Sequence, residues 1–356
     1  MTAGAGARPD LPGLPAGPVR DWLRRNVPEA EVRGPWAPEV ITGGLSNITY
    51  RLPLPSGTLI LRRPPAGHLL PRAHDVAREY RVLSALTPTA VPVPAPVGFC
   101  ADPDVIGAPF YVMREVGGDV LRTRADTGRL TVSQRSAIAG ELASTLAALH
   151  AVDPAEAGLG DFGRPGGYCR RQLATWGKQW ELSRTRDLPE MTRLLGALAE
   201  RAPQDSTTSI VHGDYRLDNV IVSLDGQPRV RAVLDWELST LGDPLADLGT
   251  TMAYWHDADD PERNLVPVAV GVTAWPGFPA AAGFAERYAA ASGRPLRDLN
   301  FYLALGTMKI AVILEGVHAR YLSGQSDGPG YDTAGAAVSV LVARGLRQLL
   351  AAAATM

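Results

Sequence analysis

The stretch that decides the fold is Ile210-Val-His-Gly-Asp-Tyr-Arg-Leu-Asp-Asn-Val-Ile-Val222, followed closely by Ala232-Val-Leu-Asp-Trp-Glu237. Apolar runs on either side of the polar residues predict three short strands, connected by a polar turn and by Asp225-Gly226. The polar side chains therefore gather at strand ends, with hydrophobic neighbours to hold them. Such a cluster is more than a hairpin requires.

The spacing of the acids and the amide in this stretch points to a particular chemistry. Asp214 precedes Asn219 by five positions, and Asp235 follows Asn219 by sixteen. In phosphoryl transfer, one acid accepts the proton of the attacking hydroxyl, while an amide and a second acid hold Mg²⁺ on the nucleotide phosphates. Asp and Asn also form surface turns, but a turn needs no second acid at the end of the next strand. We expect Asp214 to be the catalytic base, and Asn219 and Asp235 to be the metal ligands.

Composition excludes several classes of protein. The chain has 356 residues, of which 46% are hydrophobic and 20% charged, with a net charge of −2. The near-neutral charge gives no general attraction to nucleic acid or to an anionic membrane. Two cysteines make no disulfide framework, and neither a signal peptide nor an uninterrupted apolar run of about 18 residues is evident. We expect a cytoplasmic protein without nucleic-acid or membrane partners.

The predicted secondary structure changes along the chain. Residues 1–17 are rich in Ala, Gly and Pro and are expected to form a mobile tail. Residues 18–116 are dominated by predicted strands with one helix near 75–86, and residues 117–356 are mainly helical apart from a predicted three-stranded catalytic insert. The periodicity predicts helices over 132–151, within 167–200, and over 244–255, 279–292, 299–322 and 333–353. The fold class is α+β, with a ligand site expected in the cleft between two lobes.

The order of these motifs resembles the protein-kinase-like fold, in its aminoglycoside phosphotransferase and choline kinase branch. His212 to Asn219 is similar to the catalytic loop of that branch, where protein kinases carry arginine after the histidine. Leu234-Asp-Trp-Glu237, Gly242-Asp-Pro-Leu-Ala-Asp-Leu-Gly249 and the segment from Lys309 to Gly316 resemble phosphotransferases related to the kinase domain of some acyl-CoA dehydrogenases. The resemblance covers roughly residues 35–350 and implies a bilobal fold with ATP and Mg²⁺ as cofactors.

The resemblance also implies a nucleotide site in the first lobe. The turn from Gly43 to Asn47 would cradle phosphates, and the third strand would present a cation paired with an acid on the next helix. The only lysines are Lys178 and Lys309, so arginine must supply that cation. Arg62 and Arg63 face opposite sides of a strand, and we expect Arg62 to be the one. The nucleotide-binding candidates are Gly43, Gly44, Ser46, Asn47, Arg62, its partner Glu79, and Met113, Glu115 and Val116 of the hinge strand.

Two further residues are expected to support the catalytic loop. His212 is expected to pack against the loop backbone and hydrogen-bond to it. Asp247, in the first turn of a helix, is expected to accept hydrogen bonds from the loop. Asp243, before Pro244, is suited to cap that helix, and Asp218 is left open between a turn former and a metal or substrate ligand.

The sequence contains no specific motif for the site that binds the phosphate acceptor. The candidates are Trp236, Glu237, Tyr254, Lys309 and Arg320. Lys309 and Arg320 are eleven residues apart and share a face of an unbroken helix, which would suit an anionic acceptor such as a carboxylate or an acyl-CoA. A cationic aminoglycoside would need an acidic patch, for which the loop containing Asp257, Asp259 and Asp260 is a candidate, although three acids in a loop are usually only solvated.

We therefore expect a small-molecule kinase that transfers the γ-phosphate of ATP to a hydroxyl group, preferably of a hydroxy acid or hydroxyacyl thioester. The alternatives are an aminoglycoside O-phosphotransferase and a nucleotide-binding pseudokinase that acts as a partner module. A metal-dependent hydrolase is disfavoured because the six histidines show no ligand spacing. The sequence leaves open ATP or GTP, phosphoryl or nucleotidyl transfer, and the oligomeric state.

Overall fold

Two units make up the chain in the computed structural model, which describes residues 11–41, 47–65, 75–203, 207–325 and 330–351. The first unit comprises the chain up to Gly117 together with residues 232–237, and the second comprises residues 118–231 and the chain from Leu238 onward. The segment 232–237 was expected in the second lobe, but it groups with the first unit.

The first unit is built on an antiparallel sheet of five strands in the order β1-β2-β3-β5-β4. Its helices α1 and α2 contribute apolar faces, and α1 packs into a core with the sheet through Val19, Trp22 and Leu23. The sheet and the helical second unit confirm the expected α+β, kinase-like fold class. The elements are α1 Ala16–Asn26, β1 Glu39–Ile41, β2 Ile48–Leu52, β3 Leu59–Arg63, α2 Val76–Leu86, β4 Pro96–Cys100 and β5 Phe110–Arg114.

Helix α2 places Glu79 in the interior of the first unit. The Asp75 side chain caps the helix by accepting hydrogen bonds from the N–H groups of Ala77 and Arg78, each at 3.1 Å. Apolar residues at helical spacing, including Val82 and Leu83, are buried, and Glu79 shares their buried face. A carboxylate in that position requires partners, since an unpaired buried charge is costly.

The expected mobile tail of residues 1–17 is wrong for its second half. Residues 1–10 lie outside the described residues, but Leu14 is fully buried and α1 already begins at Ala16. The Arg63 side chain also donates a hydrogen bond of 2.6 Å to the Gly13 carbonyl oxygen. The sequence bias toward Gly and Pro hid one apolar anchor, which is enough to hold the segment against the core.

The second unit is mainly helical, and α4 has the bounds that periodicity predicts. The long helices α9 and α10 pack against each other, and α7 also packs on α9. Its helices are α3 Arg124–Gly128, α4 Val132–Ala151, α5 Tyr168–Ser183, α6 Pro189–Arg201, α7 Pro244–Tyr254, α8 Ala281–Ser292, α9 Leu299–Leu322 and α10 Tyr331–Ala351.

Two helices of this unit, α9 and α10, are long and apolar enough to cross a membrane by length and composition alone. The most apolar window of α9 is 78% buried inside the fold, and that of α10 is 44% buried. Helix α9 is therefore a core helix of the second unit, with residues such as Met308, Ile310 and Leu314 inside the core.

The predicted three-stranded insert is wrong in its pairing. Strand β6 (Ser209–Val211) pairs antiparallel with β9 (Thr240–Gly242), and β7 (Val220–Ser223) pairs with β8 (Arg229–Val233), so two two-stranded sheets form. The sequence showed no strand at β9, because three residues are too few to display an alternating pattern. Pairing of β6 with β9 brings the start of the catalytic loop next to the start of α7.

Candidate active site

The catalytic loop leaves β6 at Val211, and a buried carboxylate on α7 holds its backbone. Asp247 Oδ2 accepts a hydrogen bond of 2.7 Å from the His212 N–H, and Oδ1 accepts one of 2.9 Å from the Gly213 N–H. Gly213 has a φ of +85°, and an added Cβ would lie 2.8 Å from the Leu238 carbonyl oxygen. Only glycine fits this turn without strain, and the turn directs the next residue, Asp214.

The Asp214 side chain is half-buried, and its two carboxylate oxygens differ in their hydrogen bonds among the described residues. Oδ2 accepts hydrogen bonds of 3.1 Å from Arg216 Nε and 3.1 Å from Asn219 Nδ2. Oδ1 is buried and has no hydrogen-bond partner among the described residues. Burial raises the pKa of Asp214, but the positive charges of Arg216 and then Lys309 outweigh it, so the pKa lies below its ordinary value. The carboxylate is therefore ionised, oriented and able to accept one more hydrogen bond.

Asn219 closes the loop back onto Asp214. It lies in a 3₁₀ turn over Leu217–Asn219, and its Nδ2 also donates a hydrogen bond of 2.9 Å to the Asp214 carbonyl oxygen. Both of these hydrogen bonds use Nδ2, which leaves the amide oxygen Oδ1 as the atom suited to a hard cation.

Arg216 is a part of this site whose role sequence reasoning missed, although it stands inside the quoted loop. Its guanidinium bridges Asp214 and Asp218, with Nη1 lying 3.2 Å from Asp218 Oδ2. It also lies over the Tyr254 ring, 4.9 Å from the centroid. Tyr254 is thus brought to the loop, and a small pocket beside it is lined by Tyr254 and the loop residue Asp218, together with Trp255 and other residues.

His150, at the end of α4, is a second residue of this cluster that the sequence did not reveal. Its Nε2 lies 3.3 Å from Asp247 Oδ2, and its Nδ1 lies 2.8 Å from the Tyr288 hydroxyl. Burial raises the pKa of Asp247, but the hydrogen bond and charge of His150, with those of His212, bring it below its ordinary value. A Leu-His pair closing a helix was the only available signal, and it is not specific.

His212 itself is fully buried. Its Nδ1 accepts a hydrogen bond of 3.2 Å from the Asp214 N–H, and its ring meets the edge of Tyr215. Asp243 accepts the capping hydrogen bond from the Leu245 N–H at 2.9 Å. The His212 side chain therefore supports the loop backbone, and the Asp243 side chain caps α7.

The first unit contains a second cluster of charges, formed by Arg62, Glu79 and Asp235. Arg62 Nε lies 3.3 Å from Glu79 Oε2, and Nη2 donates a hydrogen bond of 2.7 Å to Asp235 Oδ1. Arg63 points the other way and binds backbone carbonyl oxygens, including that of Ile106 at 3.1 Å. The structure thus distinguishes the two arginines: Arg62 meets the acids, and Arg63 supports the fold.

Glu79 contacts three other side chains of the first unit, including Arg62. It accepts hydrogen bonds of 2.5 Å from Asn47 Nδ2 and 2.9 Å from the Tyr111 hydroxyl. Burial raises the pKa of Glu79 to about 7, although Arg62 opposes the shift. Asn47, expected in a phosphate-binding turn, is buried against this acid, and its Oδ1 has no partner among the described residues. Gly43, Gly44 and Ser46 lie outside the described residues.

Asp235 occupies an unusual backbone conformation at the end of β8. Its φ is +64°, which non-glycine residues adopt rarely and typically at functional sites. Trp236 is buried, and its Nε1 donates a hydrogen bond of 2.9 Å to the Val233 carbonyl oxygen, so its indole supports the turn. Glu237 is half-buried. The strand end thus directs the Asp235 carboxylate toward Arg62.

Met113, Glu115 and Val116, expected to form the hinge strand, lie at the end of β5 and just beyond it. Met113 is buried in β5 opposite Ile60 of β3. The Glu115 N–H donates a hydrogen bond of 3.1 Å to the Thr58 carbonyl oxygen, and its carboxylate pairs with Arg51 at 2.6 Å. Both groups of Glu115 are therefore used within the sheet, whereas Val116, one residue beyond, is half-buried.

The expected cationic face formed by Lys309 and Arg320 is wrong. Both residues lie on the unbroken helix α9, but Lys309 is only 7% exposed and its Nζ donates a hydrogen bond to the Gly213 carbonyl oxygen. Arg320 is exposed near the end of the helix. Helix periodicity placed both side chains on one face, but the packing of α9 against the loop buries only the first.

With this geometry in place, comparison with known proteins decides the family. A model described as "Phosphotransferase enzyme family" matches residues 38–300. The chain belongs to the phosphotransferase enzyme family. The match contains both charge clusters, from Arg62 and Glu79 to Asp214, Asn219 and Asp235.

Individual relatives agree with this family. Acyl-CoA dehydrogenase family member 11 of Gallus gallus is 39% identical over 309 residues, which cover 86% of this chain and 39% of that protein. A Ralstonia eutropha crystal structure assigned to the aminoglycoside phosphotransferases has a TM-score of 0.80 at 37% identity, covering 94% of this chain and 98% of that one. The ternary complex of aminoglycoside phosphotransferase APH(4)-Ia with AMP-PNP and hygromycin B has a TM-score of 0.60 at 16% identity, covering 94% and 99%.

These similarities differ in what they cover. The chain spans between 26% and 39% of the length of the dehydrogenase relatives, so the similarity concerns one part of those larger proteins. The likeness to APH(4)-Ia, at 16% identity, shows a common fold.

Proposed function

We propose that the protein is an ATP- and Mg²⁺-dependent phosphotransferase that moves the γ-phosphate to a hydroxyl of a small molecule, preferably a hydroxy acid or a hydroxyacyl thioester. The observation that carries the proposal is the Asp214 carboxylate, of which Oδ2 is held by Arg216 and Asn219 while Oδ1 is buried without a partner among the described residues.

Asp214 is suited to orient an acceptor hydroxyl and take its proton through Oδ1. Its pKa lies below the ordinary value because Arg216 and Lys309 outweigh burial, so it is a weak base. Most of its effect must then come from positioning, which holds the hydroxyl oxygen in line with the phosphate. The hydrogen bonds to Oδ2 provide that positioning by fixing the carboxylate plane.

The remaining residues suit a nucleotide and its metal. When bound, Mg²⁺ neutralises charge on the phosphate oxygens during transfer. Asn219 Oδ1 and the Asp235 carboxylate are the hard oxygen donors that would hold it. Arg62, fixed by Glu79 at 3.3 Å, would bind phosphate oxygens in place of the usual lysine. The buried Oδ1 of Asn47, which has no partner among the residues that the structure describes, is a further polar atom beside Glu79.

The preference for a hydroxy acid or its thioester has its support in the relatives. The dehydrogenase family members match this chain at 38–39% identity, and their name refers to acyl-CoA, which is a thioester. An aminoglycoside acceptor, which the Ralstonia eutropha neighbour suggests, would need free acids. The Asp260 carboxylate forms an ion pair with Arg344 and accepts a hydrogen bond from the Arg263 N–H. The Asp257 carboxylate accepts a hydrogen bond from the Ala281 N–H. The acidic loop is therefore mostly engaged within the fold.

Purified protein incubated with ATP and Mg²⁺ against hydroxylated acids, their CoA esters, aminoglycosides and amino alcohols tests the proposal, with mass detection of an added phosphate. Asp214→Asn should lower turnover by about 10² to 10⁴-fold and leave ATP binding intact. Asp225→Asn, at an exposed acid of the turn between β7 and β8, is the matched control and should retain full activity.

The result also separates the competing functions. Phosphorylation of aminoglycosides alone would replace the proposed acceptor class. ATP binding without transfer to any acceptor, equal in wild type and Asp214→Asn, would favour a pseudokinase and overturn the enzyme assignment. Release of a nucleotidyl product would exclude γ-phosphate transfer.

A further inference from the structure

Lys309 is a buried lysine that the proposed chemistry uses only as a positive charge near Asp214. It lies in the middle of α9 and is only 7% exposed, and its Nζ donates a hydrogen bond to the Gly213 carbonyl oxygen. Nζ also lies 5.6 Å from the centroid of the Trp176 ring. The only other lysine, Lys178, is exposed on α5.

The Gly213 residue that Lys309 contacts is held at both of its backbone polar groups. Asp247 accepts from its N–H at 2.9 Å, and Lys309 donates to its carbonyl oxygen. The carbonyl of Gly213 belongs to the peptide that continues into Asp214. A rotation of that peptide would turn the Asp214 side chain, so a hydrogen bond at this oxygen resists movement of the carboxylate.

The two helices that supply these groups are locked together by a close backbone approach. A Cβ added at Gly306 would lie 2.7 Å from the Gly249 carbonyl oxygen, and one added at Gly249 would lie 2.4 Å from the Tyr302 carbonyl oxygen. Lys309 follows Gly306 by one helical turn, and Asp247 precedes Gly249 by two residues. The contact between α7 and α9 therefore sets the separation of the two groups that hold Gly213.

The charges around Lys309 also match the site. Asp214 and Asp247 act on it as negative charges and Arg216 as a positive one, while burial lowers the pKa of Lys309 below its ordinary value. Trp176 covers the ammonium group with a ring face, which favours a cation. A methionine would fill the same space without the cost of burying a charge, so packing alone does not account for lysine here.

We propose that Lys309 is a positioning residue of the phosphoryl-transfer site, which fixes the direction of Asp214 by holding the Gly213 carbonyl oxygen and balances the negative charges of Asp214 and Asp247. The role in transfer rests on the proposed function. The contact with the loop does not, and it is therefore tested separately.

Labelling lysine selectively with ¹³C and ¹⁵N gives two side-chain NMR signals in this protein, since it has two lysines. Lys309→Met and Lys178→Met assign them. In the wild type, the Lys309 signal should be shifted from that of a free lysine, and Asp214→Asn should move it while leaving the Lys178 signal unchanged. A Lys309 signal that resembles free lysine, or does not respond to Asp214→Asn, would overturn the proposal whether or not any acceptor has been found.

Turnover then tests the positioning role. Lys309→Met should lower kcat by about tenfold or more, as expected for loss of a hydrogen bond to a charged donor, with KM for ATP and the thermal midpoint close to wild type. Lys309→Arg, which keeps a cationic donor, should recover part of kcat, and Lys178→Met should match wild type. The proposal is overturned if Lys309→Met lowers the thermal midpoint as well as kcat, and Lys309→Arg recovers neither. That result would show that Lys309 has only a structural role.

An inactive wild type with the expected NMR response would count against the proposed function alone. If Lys309→Met does not fold, the NMR response of the wild type to Asp214→Asn and the activity of Lys309→Arg still decide the proposal.

Discussion

Replacing Asp247 by asparagine probes the support of the catalytic loop most directly. Asp247 is 2% exposed, and its carboxylate accepts hydrogen bonds from the N–H groups of His212 at 2.7 Å and Gly213 at 2.9 Å, with His150 Nε2 at 3.3 Å. Asp247→Asn keeps one acceptor oxygen and turns the other into an N–H donor that faces a donor.

The magnitude follows from these contacts. One charge-assisted hydrogen bond is lost, at about 1.5–3 kcal/mol, and one buried N–H loses its partner, at about 1–3 kcal/mol. The free energy of unfolding should therefore fall by about 3–5 kcal/mol at neutral pH, in the range for breaking a buried charged pair. Urea unfolding measures this loss, and hydrogen exchange of peptides that contain residues 209–219 locates it.

The pH dependence of stability provides a second, independent test of the role of Asp247. The folded-state pKa of Asp247 lies below its ordinary value, so the ionised carboxylate stabilises the folded state. That contribution is complete above the unfolded pKa of about 3.9 and is lost as the pH falls through the lower folded-state pKa. The stability difference between wild type and Asp247→Asn should thus be constant from neutral pH down to about pH 5 and narrow below about pH 4.

Two results would refute this reasoning. One is a loss smaller than about 1 kcal/mol, which would mean that the loop does not depend on the carboxylate. The other is a stability difference between wild type and Asp247→Asn that stays constant as the pH is lowered below about 4. Asp259→Asn, which removes an exposed acid, is the control and should change stability by no more than about 0.5 kcal/mol.

The remaining predictions contrast neighbouring or matched positions. Arg62→Gln should weaken ATP binding by about tenfold or more, measured by calorimetry, whereas Arg63→Gln should leave that affinity unchanged and lower the urea midpoint because its guanidinium binds buried carbonyl oxygens. Equal affinity losses in the two variants would contradict the assignment of Arg62. Gly306→Ala should destabilise the fold by about 2 kcal/mol or more, since its Cβ would lie 2.7 Å from the Gly249 carbonyl oxygen. At Gly196 an added Cβ would meet, within 4 Å, no heavy atom of the described residues beyond its own stretch of helix, so Gly196→Ala should stabilise the fold by about 0.5–1 kcal/mol. Thermal unfolding that ranks these two glycine variants the other way would refute the close helix contact.

Local pattern was sufficient for much of this protein. The helix Val132–Ala151 has the predicted bounds, because Thr131 caps it and its composition favours helix throughout. The spacing of Asp214, Asn219 and Asp235 indicated phosphoryl transfer before any fold was known, since the residue types and their order along the chain suffice to suggest the chemistry. Strand alternation likewise separated Arg62 from Arg63.

Contacts between residues distant in sequence were decided only by the tertiary structure. The pairing of β6 with β9 was not predicted, because a three-residue strand carries no pattern and acquires its partner only in the folded chain. His150 and Arg216 took their roles from neighbours: His150 lies 97 positions from Asp247, and Arg216 packs on the ring of Tyr254.

Lys309 shows the difference between the two kinds of information most clearly. The sequence alone determined that one of two lysines lies on a long helix, eleven residues before Arg320. Because α9 is apolar around most of its circumference, its pattern does not say which face meets which neighbour. The close approach of Gly306 to Gly249 decides that, and it turns a side chain expected at a cationic surface into a buried donor to the catalytic loop.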